Sequence, residues 1–253
     1  MRQSSIFLLG ERLSSEQGGD SVKAARWAIL AAALLACGCA TAPARDASSP
    51  GKPNALRTIV LQCLDATVPD YCTRCPAPIE GTCAVTSCWS TTGVWAETEH
   101  FVAIRDRKMC HCPPGFVHGL ALPRSIVTGV EDPRRPDGIW PFAWQVARTR
   151  IPVSAEIVLV VNSPLDRTQD ELHVHIVRLR DDGRARIDAR QPLRVDKLDD
   201  TWRAAAAHAK RMGYTRYGVA VVQAASGGYL VVSTDVSPEF AFTDTMCGGS
   251  SGG

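Results

Sequence analysis

The segment Ile157–Leu179 reads IVLVVNSPLDRTQDELHVHIVRL and joins two different strand patterns through a polar stretch. Its first five residues are an uninterrupted run of β-branched residues and leucine, which predicts a buried strand. Leu172–Leu179 alternates between apolar and polar residues, which predicts a second strand with one face toward the core. The residues between the two runs predict a connecting loop.

The second strand is predicted to present two histidines on one surface. Side chains alternate between the faces of a strand, so Glu171, His173 and His175 share a face, with neighbours about 6.5–7 Å apart. The opposite face carries the apolar residues Leu172, Val174 and Ile176 into the core. The adjoining loop adds four polar side chains: Asn162, Arg167, Thr168 and Gln169.

These side chains suit phosphoryl chemistry. The planar guanidinium of an arginine can donate two parallel hydrogen bonds to a phosphate. One histidine can attack phosphorus and form a covalent intermediate, and the other can donate to the phosphate or to the leaving oxygen. The spacing alone also fits half of a metal site or a solvated strand face without a role, so three interpretations stay open.

The rest of the chain predicts an antiparallel α+β fold, because strands come in runs and helices are few. The predicted strands are Val94–Arg105, Phe116–Leu122, Arg184–Ala189 and the hairpin Tyr217–Ala224 with Gly228–Asp235. The predicted helices are residues 55–64, Trp140–Arg148 with Pro141 in its first turn, and Asp200–Arg211 with Gly213 as its stop.

Composition excludes several classes of protein. The chain has 253 residues, 45% of them hydrophobic and 21% charged, which is unlike a disordered chain, a coiled coil or a polytopic membrane protein. The 28 basic and 26 acidic residues give a net charge of only +2. A nucleic-acid-binding domain has a larger basic surplus, so we expect no nucleic-acid partner.

The amino terminus predicts export. Lys23 and Arg26 precede an apolar run at residues 27–36, which is too short to span a bilayer and is typical of a secretory signal. The run ends in Leu34–Cys37, which resembles a bacterial lipobox. We therefore expect residues 1–36 to be a signal peptide and the protein to be anchored in the cell envelope by a lipid, facing the periplasm.

The lipidation site predicted by this pattern is Cys37, with Cys39 as a second candidate. A cleaved signal without lipid and an uncleaved anchor are the alternatives. Residues 37–54 are mostly small, polar and Pro-rich, which predicts a flexible tether. The folded domain is then expected at residues 55–253.

Eight further cysteines follow the tether, and an even number in an exported chain predicts a disulfide framework: Cys63, Cys72, Cys75, Cys83, Cys88, Cys110, Cys112 and Cys247. Many of them fall in an insertion without clear periodicity at about residues 72–93. A redox pair at Cys72 and Cys75, or zinc at Cys110–Cys112, are the alternatives.

Other histidines and tryptophans are expected to have structural roles. His111 and His118 are predicted on loop and strand surface, and His208 on the surface of a helix. Trp140 and Trp144 lie four residues apart on one helical face, which favours a place in the core over a ligand stack.

The segment around His173 resembles the histidine-triad signature, in which histidines alternate with apolar residues after a loop with Asn and a small hydroxyl residue. More narrowly, the chain resembles the bacterial CDP-diacylglycerol diphosphatase (pyrophosphatase) family within that superfamily. The matching pieces occur in the same order, over about residues 55–235: Thr58–Cys63, Phe101–Asp106, Trp140–Arg148, Val160–Ser163, Arg167–His175 and Tyr217–Val222.

The resemblance implies a histidine-triad-like antiparallel sheet and the hydrolysis of CDP-diacylglycerol to CMP and phosphatidate. It implies that His173 is the nucleophile, which forms a nucleotidyl-histidine, and that His175 contacts the phosphate. It places Glu171 at the first triad position, and Asn162, Arg167, Thr168 and Gln169 around the nucleotide and its phosphates. It requires no metal or cofactor.

Two other functions stay open at this point. The first is a hydrolase or transferase that acts on another nucleoside-diphosphate conjugate through the same histidine. The second is a non-catalytic, disulfide-stapled envelope lipoprotein that binds a nucleotide, a lipid or a metal. Histidine-triad proteins are often dimers or internally duplicated. Because this chain shows one motif, a homodimer and a degenerate second half both stay open.

Overall fold

The structure, a computed structural model, describes residues 55–60, 91–109 and 112–247. The predicted signal peptide, the lipidation site Cys37, the tether and all but the last three residues of the predicted Cys-rich insertion lie outside these ranges. Within the described ranges, no helix combines the length and the apolar character that crossing a lipid bilayer requires.

The described strands form one antiparallel sheet of eight strands in the order β1-β2-β3-β5-β4-β7-β8-β6. Their bounds are β1 Thr91–Glu97, β2 Phe101–Asp106, β3 His118–Pro123, β4 Ile157–Val161, β5 Val174–Arg178, β6 Leu193–Val195, β7 Gly218–Gln223 and β8 Tyr229–Thr234. This arrangement, with a few packed helices, confirms the predicted antiparallel α+β class.

The helices are α1 Ala55–Thr58, α2 Ile139–Arg150, α3 Gly183–Asp188, α4 Thr201–Met212 and α5 Pro238–Phe242. Short 3-10 turns lie at Arg107–Met109, Ser154–Glu156 and Leu198–Asp200. The predicted helices at α2 and α4 are confirmed, and Gly213 ends α4 in the left-handed conformation at φ 77°. The first predicted helix is described only over residues 55–60.

One face of the sheet is covered by α2 and α4, which form the largest apolar cluster with it. Trp140 and Trp144 are buried in that cluster, as predicted. The ring of Trp140 packs edge-on against Trp202 of α4, with 4.7 Å between centroids. This packing joins the two helices above the sheet. The opposite face carries two smaller apolar clusters, one that includes α1 and one that includes α3 and α5, together with the polar residues described below.

The register of the central strands collects polar side chains on that opposite face. His175 of β5 pairs with Leu120 of β3 and with Val160 of β4. Directly paired residues share a face, and so do residues two apart along one strand. His118, two residues before Leu120, and Asn162, two residues after Val160, therefore lie on the same face as His175.

Two predicted strands differ from the structure. The stretch Val94–Arg105 is two strands, because the Thr98 hydroxyl accepts hydrogen bonds from the backbone N–H groups of His100 and Phe101 and turns the chain. The stretch Arg184–Ala189 is helix α3 rather than a strand. Arg186 pairs with Asp182 and Arg184 with Asp188, four residues apart in each case, which stabilises a helical turn.

Cys112 and Cys247 form a disulfide between positions 135 residues apart. This bond agrees with the predicted disulfide framework, whose other cysteines lie outside the described residues. It also removes Cys112 as a free thiolate, which a zinc site at Cys110–Cys112 would need.

Candidate active site

A cavity of about 280 Å³ opens on the face of the sheet that carries His175 and Asn162, beside the start of β5. Five of the predicted site residues contribute to its lining: Asn162, Thr168, Gln169, His173 and His175. A larger groove of about 610 Å³ lies beside the Cys112–Cys247 disulfide and contains none of the predicted residues. The smaller cavity is therefore the candidate active site.

Arg167 and Glu171 are the two predicted residues that do not line the cavity. The Arg167 guanidinium is paired with Glu131, at 2.6 Å from Nη1 to Oε1, and with Asp170. Glu171 is buried, and its carboxylate accepts hydrogen bonds from Arg57 Nε at 2.7 Å and from the backbone N–H of Val127 at 3.2 Å. Through these contacts both side chains connect the loop before β5 to the segments that carry Glu131 and Arg57.

His173 has a fixed tautomer. Its Nδ1 lies 2.7 Å from the backbone carbonyl oxygen of Glu171. A carbonyl can only accept, so Nδ1 carries a proton and Nε2 of the neutral ring carries the lone pair. Burial lowers the pKa of His173. The side chain is thus a neutral imidazole at pH 7, which is the form that can attack phosphorus.

His175 lies beside His173, with 4.8 Å between ring centroids. Burial holds the pKa of His175 well below its ordinary value, so this ring is also neutral. Its Nε2 lies 3.4 Å from Asn162 Nδ2, and its buried Nδ1 has no hydrogen-bond partner among the described residues. Two uncharged imidazoles therefore stand at one wall of the cavity.

Sequence reasoning missed the roles of four titratable residues that meet beside these histidines: Asp106, Lys108, His118 and Glu239. Three of them, Asp106, Lys108 and Glu239, also line the cavity. The expectation that His118 lies on a strand surface is wrong, since its side chain is fully buried. Its ring stands between two carboxylates, with Nδ1 at 3.1 Å from Asp106 and Nε2 at 3.0 Å from Glu239. One signal was available, because His118 shares the apolar face of Leu120 and Leu122.

Glu239 is the centre of this group. Its carboxylate contacts His118, the Lys108 ammonium and Asn162, whose Nδ2 donates to Oε2 at 2.8 Å. Burial alone would raise the pKa of Glu239, but the hydrogen bond to His118 and the charges of Lys108 and His118 hold it well below the ordinary value. Glu239 follows a Ser-Pro helix start, a pattern that carries no hint of a place in the site.

His118 and its second carboxylate are ionised together. Burial alone would lower the pKa of His118, but the hydrogen bonds to Asp106 and Glu239 raise it. Burial opposes ionisation of Asp106 as well, yet His118 and its other neighbours bring the pKa of Asp106 down to about 2. The contacts of this group thus favour two anionic carboxylates beside two cationic side chains.

A metal ion could be held by His118, His175 and Glu239, whose candidate ligand atoms lie within 4.8 Å of one another. Two histidines and a carboxylate are a common donor set for zinc. The Lys108 ammonium, however, donates to the same Glu239 carboxylate, and both ring nitrogens of His118 face carboxylates. These contacts are those of a hydrogen-bonded ionic network, and a metal would have to displace them.

His208, which was also predicted on the surface, is fully buried, so that expectation is wrong too. His111, predicted on a loop surface, lies outside the described residues. Its Nε2 donates to the Arg190 carbonyl at 2.9 Å, and its Nδ1 accepts from the backbone N–H of Ser233 at 3.1 Å. It joins α4 to β8 and is not among the residues that line the cavity.

Comparison with known families agrees with the resemblance seen in the sequence. The family model described as CDP-diacylglycerol pyrophosphatase matches residues 94–237, which is more than half of the 253 residues. The matched region contains both cavity histidines and the loop before them, and it ends just before Glu239. The chain therefore belongs to the CDP-diacylglycerol pyrophosphatase family, and it is a hydrolase that acts on a phosphoanhydride bond.

Proposed function

We propose that this hydrolase cleaves CDP-diacylglycerol to CMP and phosphatidate, with His173 as the nucleophile of a histidine-triad-type site. The observation that carries the proposal is the hydrogen bond from His173 Nδ1 to the Glu171 carbonyl. It leaves the lone pair on Nε2 of a ring that lines the cavity. A nucleophilic nitrogen is therefore available without any prior proton transfer.

The reaction proceeds in two displacements. Nε2 of His173 attacks the cytidylyl phosphorus, the bond from that phosphorus to the bridging oxygen breaks, and phosphatidate leaves with the electron pair. Water then attacks the same phosphorus, the P–N bond breaks, and CMP leaves as the water proton passes to solvent. The neutral state of His173 favours the first step, because an imidazolium has no lone pair to donate.

The polar loop supplies the contacts that hold the phosphates and the nucleotide. Asn162, Thr168 and Gln169 line the cavity, and His175 stands beside the nucleophile where it can contact the phosphate. In this proposal Arg167 and Glu171 do not line the cavity and act by supporting the loop. Their pairs with Glu131 and with Arg57 hold the loop in place around the substrate.

The volume of the cavity supports a binding mode in which the headgroup of the substrate enters the protein and its acyl chains stay in the lipid. A volume of about 280 Å³ lies at the lower end of the range for small-molecule sites, about 300–1,000 Å³. It suits a nucleotide headgroup and is too small for two acyl chains in addition. We infer that the chains stay in the bilayer or in detergent while the headgroup is cleaved.

We further propose that the enzyme works in the cell envelope, anchored through a lipid on Cys37 and facing the periplasm. The Cys112–Cys247 disulfide supports an oxidising compartment, because cytosolic reductants keep most thiols reduced. The lipid anchor would also hold the cavity close to a membrane-borne substrate.

Release of CMP from detergent-dispersed CDP-diacylglycerol tests the reaction, measured with and without EDTA. The His173→Ala variant is expected to lower the rate by about 10⁴-fold or more, as loss of a nucleophile does elsewhere. His100→Ala is the matched control, since His100 is exposed in the turn between β1 and β2. Substrate labelled at the cytidylyl phosphorus should leave label on the wild-type protein after rapid quenching.

Three results would overturn the proposal. They are wild-type protein without CMP release, release that survives in His173→Ala, and release that EDTA abolishes. Turnover of a soluble nucleotide conjugate at an equal rate would move the assignment to the wider class of nucleoside-diphosphate conjugates.

A further inference from the structure

We propose that Glu239 is a positioning residue of this reaction, which holds Asn162 so that Asn162 fixes the tautomer and orientation of His175. The inference rests on the proposed function, because it gives a role to the histidine beside the nucleophile. The family match ends before Glu239, so the role of this residue follows only from its place in the structure.

The Asn162 amide is held from both ends by the segment that carries Glu239. Its Oδ1 accepts hydrogen bonds from Ser237 Oγ at 2.9 Å and from the backbone N–H of Glu239 at 3.4 Å. A backbone N–H can only donate, so this contact identifies the oxygen end of the amide. The nitrogen end must then face the Glu239 carboxylate, where Nδ2 lies 2.8 Å from Oε2.

The orientation of Asn162 determines which nitrogen of His175 carries the proton. An amide NH₂ has two hydrogens and no acceptor, and one hydrogen goes to Glu239. The other points to His175 Nε2, 3.4 Å away, so Nε2 must accept. Neutral His175 therefore has its proton on Nδ1, the nitrogen that lacks a partner among the described residues.

Glu239 can hold this amide only while it is ionised, and two cations keep it so. His118 has a carboxylate oxygen within 3.1 Å of each ring nitrogen, and two such neighbours favour the doubly protonated, positively charged ring. The Lys108 ammonium donates to the same carboxylate oxygen of Glu239 as His118 does. Asp106, which lies 3.1 Å from His118 Nδ1, offsets the charge of the buried His118 ring, and the exposed Lys108 ammonium offsets the charge of Glu239.

The same contacts exclude a proton-transfer role for Glu239. A general base works best when its pKa lies near the operating pH. The carboxylate of Glu239 is stabilised as the anion by two cations and an amide, so it binds a proton weakly. Its Oε2 also lies 3.6 Å from His175 Nε2, beyond a good hydrogen bond. Glu239 thus acts through Asn162 and does not itself move a proton.

Nitrogen-15 NMR of the histidines in the full-length protein reads the tautomer directly. In wild type, His175 is expected to show a protonated Nδ1 and a lone pair on Nε2 throughout the range from pH 6 to 9. A protonated Nε2 in wild type would overturn the proposal, whether or not the protein cleaves CDP-diacylglycerol. This measurement needs no variant that could fail to fold.

The variant Glu239→Gln keeps the shape of the side chain and removes its charge. We expect the His175 signals to shift toward a mixture of tautomers and kcat for CMP release to fall by about 10- to 100-fold, with a much smaller change in KM. Glu156→Gln is the matched control, because Glu156 pairs with Arg178 on the surface. Unchanged His175 signals in a folded Glu239→Gln protein would also overturn the proposal.

Discussion

His118 and His208 are both completely buried, and yet their surroundings give them opposite charge states. His118 stands between the carboxylates of Asp106 and Glu239, which lie 3.1 Å and 3.0 Å from its two ring nitrogens and favour a positively charged ring. His208 stands between a carbonyl oxygen of Arg190 and the backbone N–H of Ser233, so one nitrogen donates and the other accepts. The first is a cation and the second is neutral.

This difference shows that the partners of a buried histidine, and not its burial, decide its charge. Burial opposes the charged form of both rings. Two carboxylates outweigh burial at His118 and raise its pKa, whereas the pKa of His208 is lowered. His118 thereby becomes part of the electrostatics of the active site, and His208 joins a helix to a strand.

Replacement of His118 should lower the free energy of unfolding and the rate of CMP release together, and this combined effect should exceed that of any change at His208. His118→Gln leaves the buried Glu239 carboxylate and the half-buried Asp106 carboxylate without the cation between them, and removal of one partner of a buried ion pair typically costs about 3–5 kcal/mol. We expect a loss of that order in the free energy of unfolding and a drop of about 10- to 100-fold in the rate of CMP release. Urea denaturation and the CMP assay measure the two effects.

An unchanged stability and rate in His118→Gln would show that the ring is not the cation described above. The conservative change Glu97→Gln, at an exposed pair with Arg124, serves as the control for loss of a charge.

Removal of the Cys112–Cys247 disulfide should weaken the part of the molecule around His118 and leave the part around His208 unchanged. Cys112 lies next to the turn that carries Lys108, and its Sγ is 3.1 Å from the Lys108 carbonyl oxygen. A closed loop of more than about 100 residues stabilises a fold by up to about 5 kcal/mol in the chain-entropy picture. We expect the double variant Cys112→Ala, Cys247→Ala to unfold at lower urea concentration.

Hydrogen exchange of the double variant identifies the elements that lose stability. Faster exchange should appear in α5 and around Lys108, while α4, which carries His208, keeps its protection. Uniformly faster exchange, or none, would contradict a local effect on the active-site side.

Replacement of His208 should cost stability and leave catalysis alone. His208→Ala removes a donor and an acceptor from buried backbone partners, and each unsatisfied partner costs about 1–3 kcal/mol. The folded fraction of this variant is expected to release CMP at the wild-type rate. A rate that falls in proportion to His118→Gln would mean that the two histidines do not have separate roles.

The pH dependence of stability gives the smallest and most specific effect. The pKa of His208 is lowered by burial, so the unfolded chain binds more protons as pH falls below about 6.5, and the fold loses stability on the acid side. The slope from one such group cannot exceed about 1.4 kcal/mol per pH unit. In His208→Gln, the free energy of unfolding obtained from urea denaturation should change less between pH 7 and pH 5 than it does in wild type.

His118 should produce the opposite slope. Its pKa is raised in the folded state, so its contribution is complete below about pH 6.5 and is lost as pH rises through the raised value. Stability measured from pH 7 upward should therefore decline less steeply in His118→Gln than in wild type. A steeper decline in the variant would contradict the assignment of His118 as a cation.

The strands that carry the site, and the face on which its histidines lie, were predictable from local patterns. Ile157–Val161 is a buried strand, and the alternation around His173 and His175 brings both rings to one cavity, because these are properties of a single strand and its neighbours. The antiparallel class followed from the order of strand and helix patterns. Family resemblance added the reaction, which spacing alone left open among three interpretations.

The charged residues behind the histidines could not be predicted in the same way. Glu239 comes to His118 and Asn162 from a different part of the chain, and no local pattern reports a contact over that separation. Arg167 and Glu171 failed to line the cavity for a similar reason, since their partners Glu131 and Arg57 are distant in sequence. A polar side chain in a loop indicates a site, but tertiary partners decide which way it points.

The position of Glu239 in the chain has a consequence for biosynthesis. Every strand of the described sheet, both cavity histidines and Lys108 precede it, so the ribosome makes the residue that holds Asn162 after the rest of the site. Cys247 follows shortly afterward and closes the disulfide. A chain that ends before this segment thus has every strand of the described sheet and both cavity histidines, and it still lacks the residue that holds Asn162.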